Sequence, residues 1–251
     1  MLTVKQVGVV GLGAMGQGMA GSLRRAGFEV HVCDARPGVA EAFAALGGVA
    51  CATPAEVAKS CQVLVSVVVN AAQTEEVLFG ENGAASAMAA GSVFVMCSTV
   101  DPNWSVALEA RLEALGLLYV DAPISGGAAK AASGQMTMMT AGKPAAYALA
   151  EPVLNAMATS VYKLGDSAGA GSKVKIINQL LAGVHIAAAA EAMALGLREG
   201  VDPAALYEVI THSAGNSWMF ENRMAHVLAG DYTPLSAVDI FVKDLGLVLD
   251  M

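Results

Sequence analysis

Val7-Gly8-Val9-Val10-Gly11-Leu12-Gly13-Ala14-Met15-Gly16 opens the chain with a short apolar run, a glycine-rich turn and the start of a helix-forming stretch that lasts until Gly27. An apolar β-branched run that ends in glycine and hands over to a helix reads as strand, turn, helix. A second apolar run, Phe28 to Cys33, completes a βαβ unit of about 30 residues. In that context the spacing G-x-G-x-x-G acquires a meaning it lacks alone, since the chain holds 27 glycines. Gly11 permits the tight turn, Gly13 lets bare backbone approach a pyrophosphate, and Gly16 lets the helix pack closely on the sheet, with Leu12, Ala14 and Met15 between them. The helix N-terminus adds free N–H groups and about half a positive charge. The loop predicts a dinucleotide site.

Asp34 follows the second run, 18 residues beyond Gly16. There an acidic side chain accepts hydrogen bonds from the adenosine ribose, which favours NAD over NADP. A 2'-phosphate would meet like charge, with Arg36 nearby as partial compensation. The alternative role for Asp34 is to cap the following helix.

Outward from this unit, apolar runs at Val63 to Val69, Ser92 to Met96 and Leu117 to Val120 alternate with helical stretches near 38–46, 54–60, 72–79 and 102–115. Continuous apolar strands separated by helices imply a parallel sheet covered on both faces. From Gly169 onward the pattern is helical: Lys173 to Arg198 without a strong breaker, then 203–213, 217–229 and 235–250. The expected fold is α/β, an N-terminal Rossmann-type parallel-sheet domain over 1–165 followed by an all-helical domain over 166–251, with the boundary in the glycine-rich stretch Gly165 to Gly171.

Composition narrows the function classes. A formal charge of −8 and no basic run exclude a nucleic-acid binder. Residues Leu180 to Leu197 form the longest apolar stretch, but His185 and Glu191 interrupt it and Lys173 and Lys175 precede it, so it reads as a buried helix rather than a membrane span. The start of the chain leads directly into the first strand, leaving no room for a signal peptide, and the cytoplasm is the expected compartment. Cys33, Cys51, Cys61 and Cys97 show no C-x-x-C pairing and read as buried thiols. His31, His185, His212 and His226 are too scattered for a metal site, so none is expected.

Two further segments carry chemistry. At 100° per residue, Lys175, Asn178, Gln179, Ala182 and His185 share one stripe of the long helix, while Ile176, Ile177, Leu180, Leu181 and Val184 form the opposite side and should be core. Lys175 therefore has polar neighbours to position it, whereas Lys173 lies about 200° away. A desolvated lysine near a helix N-terminus has its pKa pulled towards proton-transfer values; a solvated helix charge is the plain alternative. Asp121-Ala122-Pro123-Ile124-Ser125-Gly126-Gly127 lies at the C-terminal edge of a strand, where open α/β sheets bind ligands. Ser125 offers a hydroxyl, and Gly126 and Gly127 offer backbone N–H groups to an anion such as a carboxylate.

These motifs, in this order, resemble the β-hydroxyacid dehydrogenase family, which includes 3-hydroxyisobutyrate dehydrogenase and tartronate semialdehyde reductase, over nearly the whole chain. The resemblance implies an NAD-dependent oxidation of a small hydroxy acid, with Lys175 as the catalytic lysine, Asn178 on the reacting oxygen or the carboxylate, and Ser125, Gly126 and Gly127 on the carboxylate. It also implies that Lys243, in Phe241-Val242-Lys243-Asp244-Leu245, reaches the nicotinamide, that Ser98 and Thr99 after the fourth strand contact the nicotinamide ribose, and that Val69 and Asn70 touch the adenosine half. Gln179 departs from the family, where many members have a second asparagine, and members usually continue with further helix beyond Met251, so a shortened chain with a less readily closed cleft is expected. Ser213 to Arg223 resembles the branch acting on four-carbon sugar acids such as L-threonate, with Trp218 walling the pocket; an Asn216-Ser217 helix cap followed by core aromatics explains the same residues. A semialdehyde reductase and a dinucleotide-binding module without catalysis are the competing readings. An Ala-rich helical domain this small cannot bury both faces of its long helix, so a homodimer or homotetramer is expected.

Overall fold

The strand read first, β1 (Gln6–Val10), lies near the centre of a six-stranded sheet in a computed structural model that describes residues 4–233 and 237–251. Its partners are β2 (Glu29–Cys33), β3 (Val49–Ala50), β4 (Val63–Ser66), β5 (Val93–Met96) and β6 (Leu118–Asp121), all parallel, in the order β3-β2-β1-β4-β5-β6. The crossovers are α1 (Gly16–Arg25), α2 (Val39–Ala44), α3 (Pro54–Lys59), α4 (Ala71–Phe79) and α5 (Pro102–Ala114). This is the doubly wound order, and its direction reverses between β1 and β4.

The strands read as unbroken apolar runs because both faces are buried. Alternate side chains divide between two cores: Val63, Val65, Val93 and Val95 join Met19 and Leu23 of α1, while Leu64, Phe94 and Met96 join Val77 and Leu78 of α4 and Leu108 and Leu112 of α5. Each fully buried valine or leucine is worth about 1.5–3 kcal/mol relative to exposure. The parallel α/β expectation is met.

Three local readings need correction. β3 is a two-residue strand that the pattern did not reveal, so Ser98 and Thr99 follow the fifth strand and not the fourth. The run expected to extend to Val69 ends as a strand at Ser66, with one last bond from the Val67 N–H to the Val10 carbonyl of β1 before the chain turns into α4. Residues 124–163, without assigned elements in the sequence reading, form a second sheet: β7 (Ile124–Ser125), antiparallel to β8 (Met136–Thr140), which is parallel to β9 (Ala158–Lys163). Between these strands run α6 (Gly127–Ser133) and α7 (Pro144–Met157). A bridge between Asp121 and Ala141 joins the end of β6 to the end of β8.

The remaining chain is helical: α8 (Ala170–Arg198), α9 (Pro203–Thr211), α10 (Trp218–Ala229) and α11 (Asp239–Asp250). Asp202 and Ser217 cap α9 and α10 through their side chains, and Gly230, at φ 63°, ends α10. Residues 235 and 236 of the helix expected over 235–250 lie outside the described residues. The chain divides into two compact units, one up to Lys175 and one from Ile176 to Met251, so the division falls inside α8. In the second unit Ala189, Met193, Phe220 and Met224 form a small core, with Tyr207 stacked on Phe220 at 5.9 Å.

α8 inverts an expectation. Lys175, Ile176, Gln179 and Ala182 are buried, whereas Ile177, Leu181 and Val184 are each 53% exposed and Leu180 is exposed as well. The helix is therefore not a fully buried one, and of the apolar stripe expected to be core only Ile176 is buried while the other four residues face outward. Periodicity identifies which residues share a face; it does not supply an element to cover that face, and none of the described residues does so. Among the described residues α8 is the one helix long and apolar enough to cross a membrane by length and composition.

Candidate active site

The glycine loop leaves β1 at the point where the strand order reverses. Gly11 has φ 95°, donates its N–H to the Cys33 carbonyl at 2.9 Å, and would place a Cβ 2.5 Å from the Val67 carbonyl oxygen. Gly16 would place one 1.9 Å from the Gly11 carbonyl oxygen. The fold itself thus demands glycine at both positions. Gly13 differs, because it lacks a positive φ and a Cβ there would meet nothing within 4 Å. Met15, at the head of α1, supplies no capping side chain, so the loop presents an uncapped helix N-terminus beside the open space at Gly13.

Asp34, at the end of β2, is not the cap of α2, whose N-cap is Gly38. Its Oδ2 accepts the Leu12 N–H at 2.7 Å, and its Oδ1 accepts the Arg36 N–H at 2.9 Å and Nε–H at 2.8 Å. Arg36 Nη2 reaches Asp34 Oδ2 at 3.0 Å and the Leu12 carbonyl at 3.1 Å, so one ion pair locks the acid to the glycine loop. The Arg36 hydrogen bond, followed by the backbone donors working against burial, holds the Asp34 carboxyl at about 2. Val69 donates its N–H to Gln73 Oε1 at 2.7 Å, and Asn70 caps α4 by accepting the Gln73 N–H at 2.9 Å. Ser98 is buried and donates to the Val68 carbonyl at 2.8 Å, with Thr99 half-buried beside it. All of these residues follow C-terminal ends of parallel strands, as ligand-contacting residues of open α/β sheets do.

Ser125 and the two glycines take shapes that the sequence did not specify. Ser125 belongs to β7, paired with Thr137, and Gly126 (φ 136°) and Gly127 (φ 76°) turn the chain into α6. All three are at least partly exposed, and Gly127 has open space where a Cβ would stand.

Along α8, Lys175 is 7% exposed while Lys173 is exposed. Half-buried Asn178 donates from Nδ2 to Gln179 Oε1 at 3.1 Å. Gln179 in turn donates from Nε2 to Asp244 Oδ2 at 2.6 Å, and Lys243 Nζ pairs with Asp244 Oδ1 at 2.7 Å. Trp218, the first residue of α10, is 48% exposed, and Ser217 before it caps the helix by accepting the Phe220 N–H at 3.0 Å. Phe220 is core, so the capping explanation covers Ser217 and Phe220 and leaves Trp218 at the surface.

Sequence reasoning gave no role to three buried residues of these networks. Asp121 holds the first turn of α8, Ser172 is its partner there, and Asp244 joins Gln179 to Lys243. An acid ending an otherwise apolar strand, and an acid directly after the lysine already singled out, were the available signals.

A doubly wound sheet with a glycine loop opening a helix at its switch point, and a buried lysine at the head of a long helix, define the class of dinucleotide-dependent oxidoreductases. Residues 6–165 match the model of the NAD-binding domain of 6-phosphogluconate dehydrogenase, and residues 169–251 match the model described as NAD-binding of NADP-dependent 3-hydroxyisobutyrate dehydrogenase. The chain is 69% identical to an L-threonate dehydrogenase of Cupriavidus necator, over 98% of this chain and 83% of the relative, and 51% identical to one of Haemophilus influenzae over 97% and 81%. A solved 3-hydroxyisobutyrate dehydrogenase of Salmonella typhimurium superposes with a TM-score of 0.92 at 54% identity, covering 98% of this chain and 86% of that one. The chain belongs to the β-hydroxyacid dehydrogenase family and is an oxidoreductase acting on a hydroxy acid.

Proposed function

We propose that this enzyme oxidises L-threonate, or a closely similar four-carbon sugar acid, using NAD. The single observation that carries the dinucleotide part is Gly13, where the fold has room for a side chain and a bound pyrophosphate supplies the reason to have none. The preference for NAD rests on Asp34, an acid held ionised at the end of β2, whose charge would oppose a 2'-phosphate there. The choice of acid rests on the relatives, named L-threonate dehydrogenase in Cupriavidus necator and Haemophilus influenzae.

A dinucleotide held through its pyrophosphate at this loop would supply its nicotinamide ring as the hydride acceptor. Lys175 takes the proton of the substrate hydroxyl as the carbon–hydrogen bond breaks. Asn178, one turn further along α8, orients the reacting oxygen, and Trp218 walls the substrate. Ser125 and the N–H groups of Gly126 and Gly127 hold the substrate carboxylate, fixing which carbon is presented. Lys243 reaches the nicotinamide side and is held by Asp244. Ser98, Thr99, Val69 and Asn70 line the dinucleotide along the strand ends.

The exposed apolar stripe of α8 fits a second copy of the chain, so the proposed enzyme is a homodimer or homotetramer; a monomeric mass in solution overturns that part. Four unpaired cysteines suit the reducing cytoplasm as its compartment. The deciding experiment follows absorbance of the reduced nicotinamide with L-threonate, D-erythronate, 3-hydroxyisobutyrate and glycerate, for wild type and Lys175→Ala. Turnover best on L-threonate, cut to a low residual rate by the substitution with NAD binding kept, is the expected result. Near-normal turnover of Lys175→Ala overturns the mechanism.

A further inference from the structure

Asp121 ends β6 with both its main chain and its side chain committed. Its N–H donates to the Ala141 carbonyl at 2.9 Å and its carbonyl accepts the Ala141 N–H at 2.8 Å, which ties the strand end to β8. Four residues later the same strand exit reaches Ser125. The carboxylate points the other way, onto the head of α8. Its Oδ2 accepts the N–H groups of Gly169 and Ser172, both at 2.9 Å, and its Oδ1 accepts the Ser172 hydroxyl at 2.7 Å. Asp121 and Ser172 are fully buried.

The helix is pressed onto this anchor. A Cβ at Gly171 would lie 2.4 Å from the Met139 carbonyl oxygen and 3.0 Å from that of Asp121, so only glycine allows the approach. A second carboxylate, Glu109 of α5, accepts the Ala168 N–H at 3.1 Å just before the helix starts. Ser172 and Lys175 are three residues apart, one turn along the same helix face. Any slip or tilt of the first turn is therefore passed directly to the Lys175 side chain. A helix N-terminus left without its anion would also be free to fray, since its first N–H groups have no partner within the helix.

We propose that Asp121 is a positioning residue for the hydroxy-acid oxidation: through Ser172 it fixes Lys175 relative to the Ser125–Gly127 turn that leaves the same strand. This rests on the proposed role of Lys175. Burial, the largest influence, pushes the Asp121 carboxyl up, and the donors of Ser172 and Gly169 work against it. Misplacing a reacting group by about 1 Å costs on the order of 100-fold in rate without requiring loss of binding.

The test uses Asp121→Asn, Ser172→Ala and each of them combined with Lys175→Ala, assayed with whichever of L-threonate, D-erythronate, 3-hydroxyisobutyrate and glycerate the wild type turns over. Asp121→Asn is expected to lower kcat about 100-fold with NADH affinity within about twofold of wild type, and Ser172→Ala to lower kcat about tenfold. In the Lys175→Ala background neither substitution is expected to reduce the residual turnover further, because there is no lysine left to position. A kcat within threefold of wild type for Asp121→Asn, or effects that multiply with Lys175→Ala, overturns the inference. If Asp121→Asn does not fold, Ser172→Ala decides by the same two criteria. Full activity of Lys175→Ala alone strikes instead at the proposed function, so the two failures are distinguishable.

Discussion

Gln179 donates its side-chain amide to Asp244 at 2.6 Å, across 65 residues of sequence, and Asp244 is 1% exposed. The other oxygen of that carboxylate is held by Lys243 at 2.7 Å. The departure from asparagine at 179 thus has a structural role, since the extra methylene lets the amide reach the acid.

Gln179→Asn is expected to lose that reach while Lys243 still neutralises the charge, costing about 1–2 kcal/mol in urea unfolding. Lys243→Met removes the cation and leaves a buried carboxylate with one neutral donor, and is expected to cost more. The reverse order of the two would show that the amide, and not the ion pair, stabilises Asp244.

What the sequence revealed and what it hid follow a physical line. The glycine loop, Asp34 and the strands of the large sheet are short-range patterns: apolar alternation, a turn requirement, an acid at a strand end. Residues 124–163 gave no such contrast, because α6 and α7 are Ala-rich, α7 carries Pro152 inside it, and β8 is the methionine-rich Met-Thr-Met-Met-Thr. The partners of the site residues were invisible for a different reason. Asp121 with Ser172 and Gln179 with Asp244 are 51 and 65 residues apart, and hydrogen-bond partners at that range have no periodicity. The outward face of α8 shows the remaining limit, since a hydrophobic stripe says that something is to be covered without saying by what.

The thiols give a prediction independent of the cofactor. Burial pushes Cys33 up to about 11 and Cys61 up to about 12, and Cys97 higher still, whereas Cys51 is half-buried and not buried as its sequence neighbours suggested. At pH 8 only about one Cys33 in a thousand is a thiolate. Titration with a disulfide reagent at pH 8 is expected to label about one thiol per native chain, Cys51, and the rest only after unfolding. Rapid labelling of three or four would show that the buried sites open readily.

The Asp34–Arg36 pair makes a pH prediction with a definite sign. A carboxyl held at about 2, below its usual 3.8, contributes stability that is present above about pH 4 and is lost as pH falls through 2. Arg36 is the first cause of the shift, so the stability difference between wild type and Arg36→Ala is expected at pH 5 and should shrink towards zero near pH 2. Arg36 is largely exposed, which keeps the difference small, below about 1 kcal/mol. The same substitution bares the Asp34 charge and is expected to raise the ratio of kcat/KM for NAD over NADP. A lower ratio would mean that Arg36 does not sit against the 2'-position.

The two glycines of the loop separate folding from binding. Gly16→Ala forces a methyl to within 1.9 Å of the Gly11 carbonyl oxygen, and since both atoms belong to tight backbone the loop must shift, costing about 1–3 kcal/mol. Gly13→Ala meets no neighbour and needs no left-handed backbone, so its effect on the unbound protein is the loss of unfolded-state freedom, a gain of about 0.4–1 kcal/mol. A dinucleotide reverses that ranking at residue 13, because the added methyl occupies the space the pyrophosphate needs. Thermal melts should therefore show Gly13→Ala at or above wild type and Gly16→Ala below it, while fluorescence titration with NADH should show Gly13→Ala binding at least about tenfold more weakly. If Gly13→Ala binds NADH like wild type, the pyrophosphate does not lie on this loop. The cofactor would then have to be held elsewhere on the sheet's C-terminal edge, and the roles drawn for Asp34 and Lys175 would fall with it.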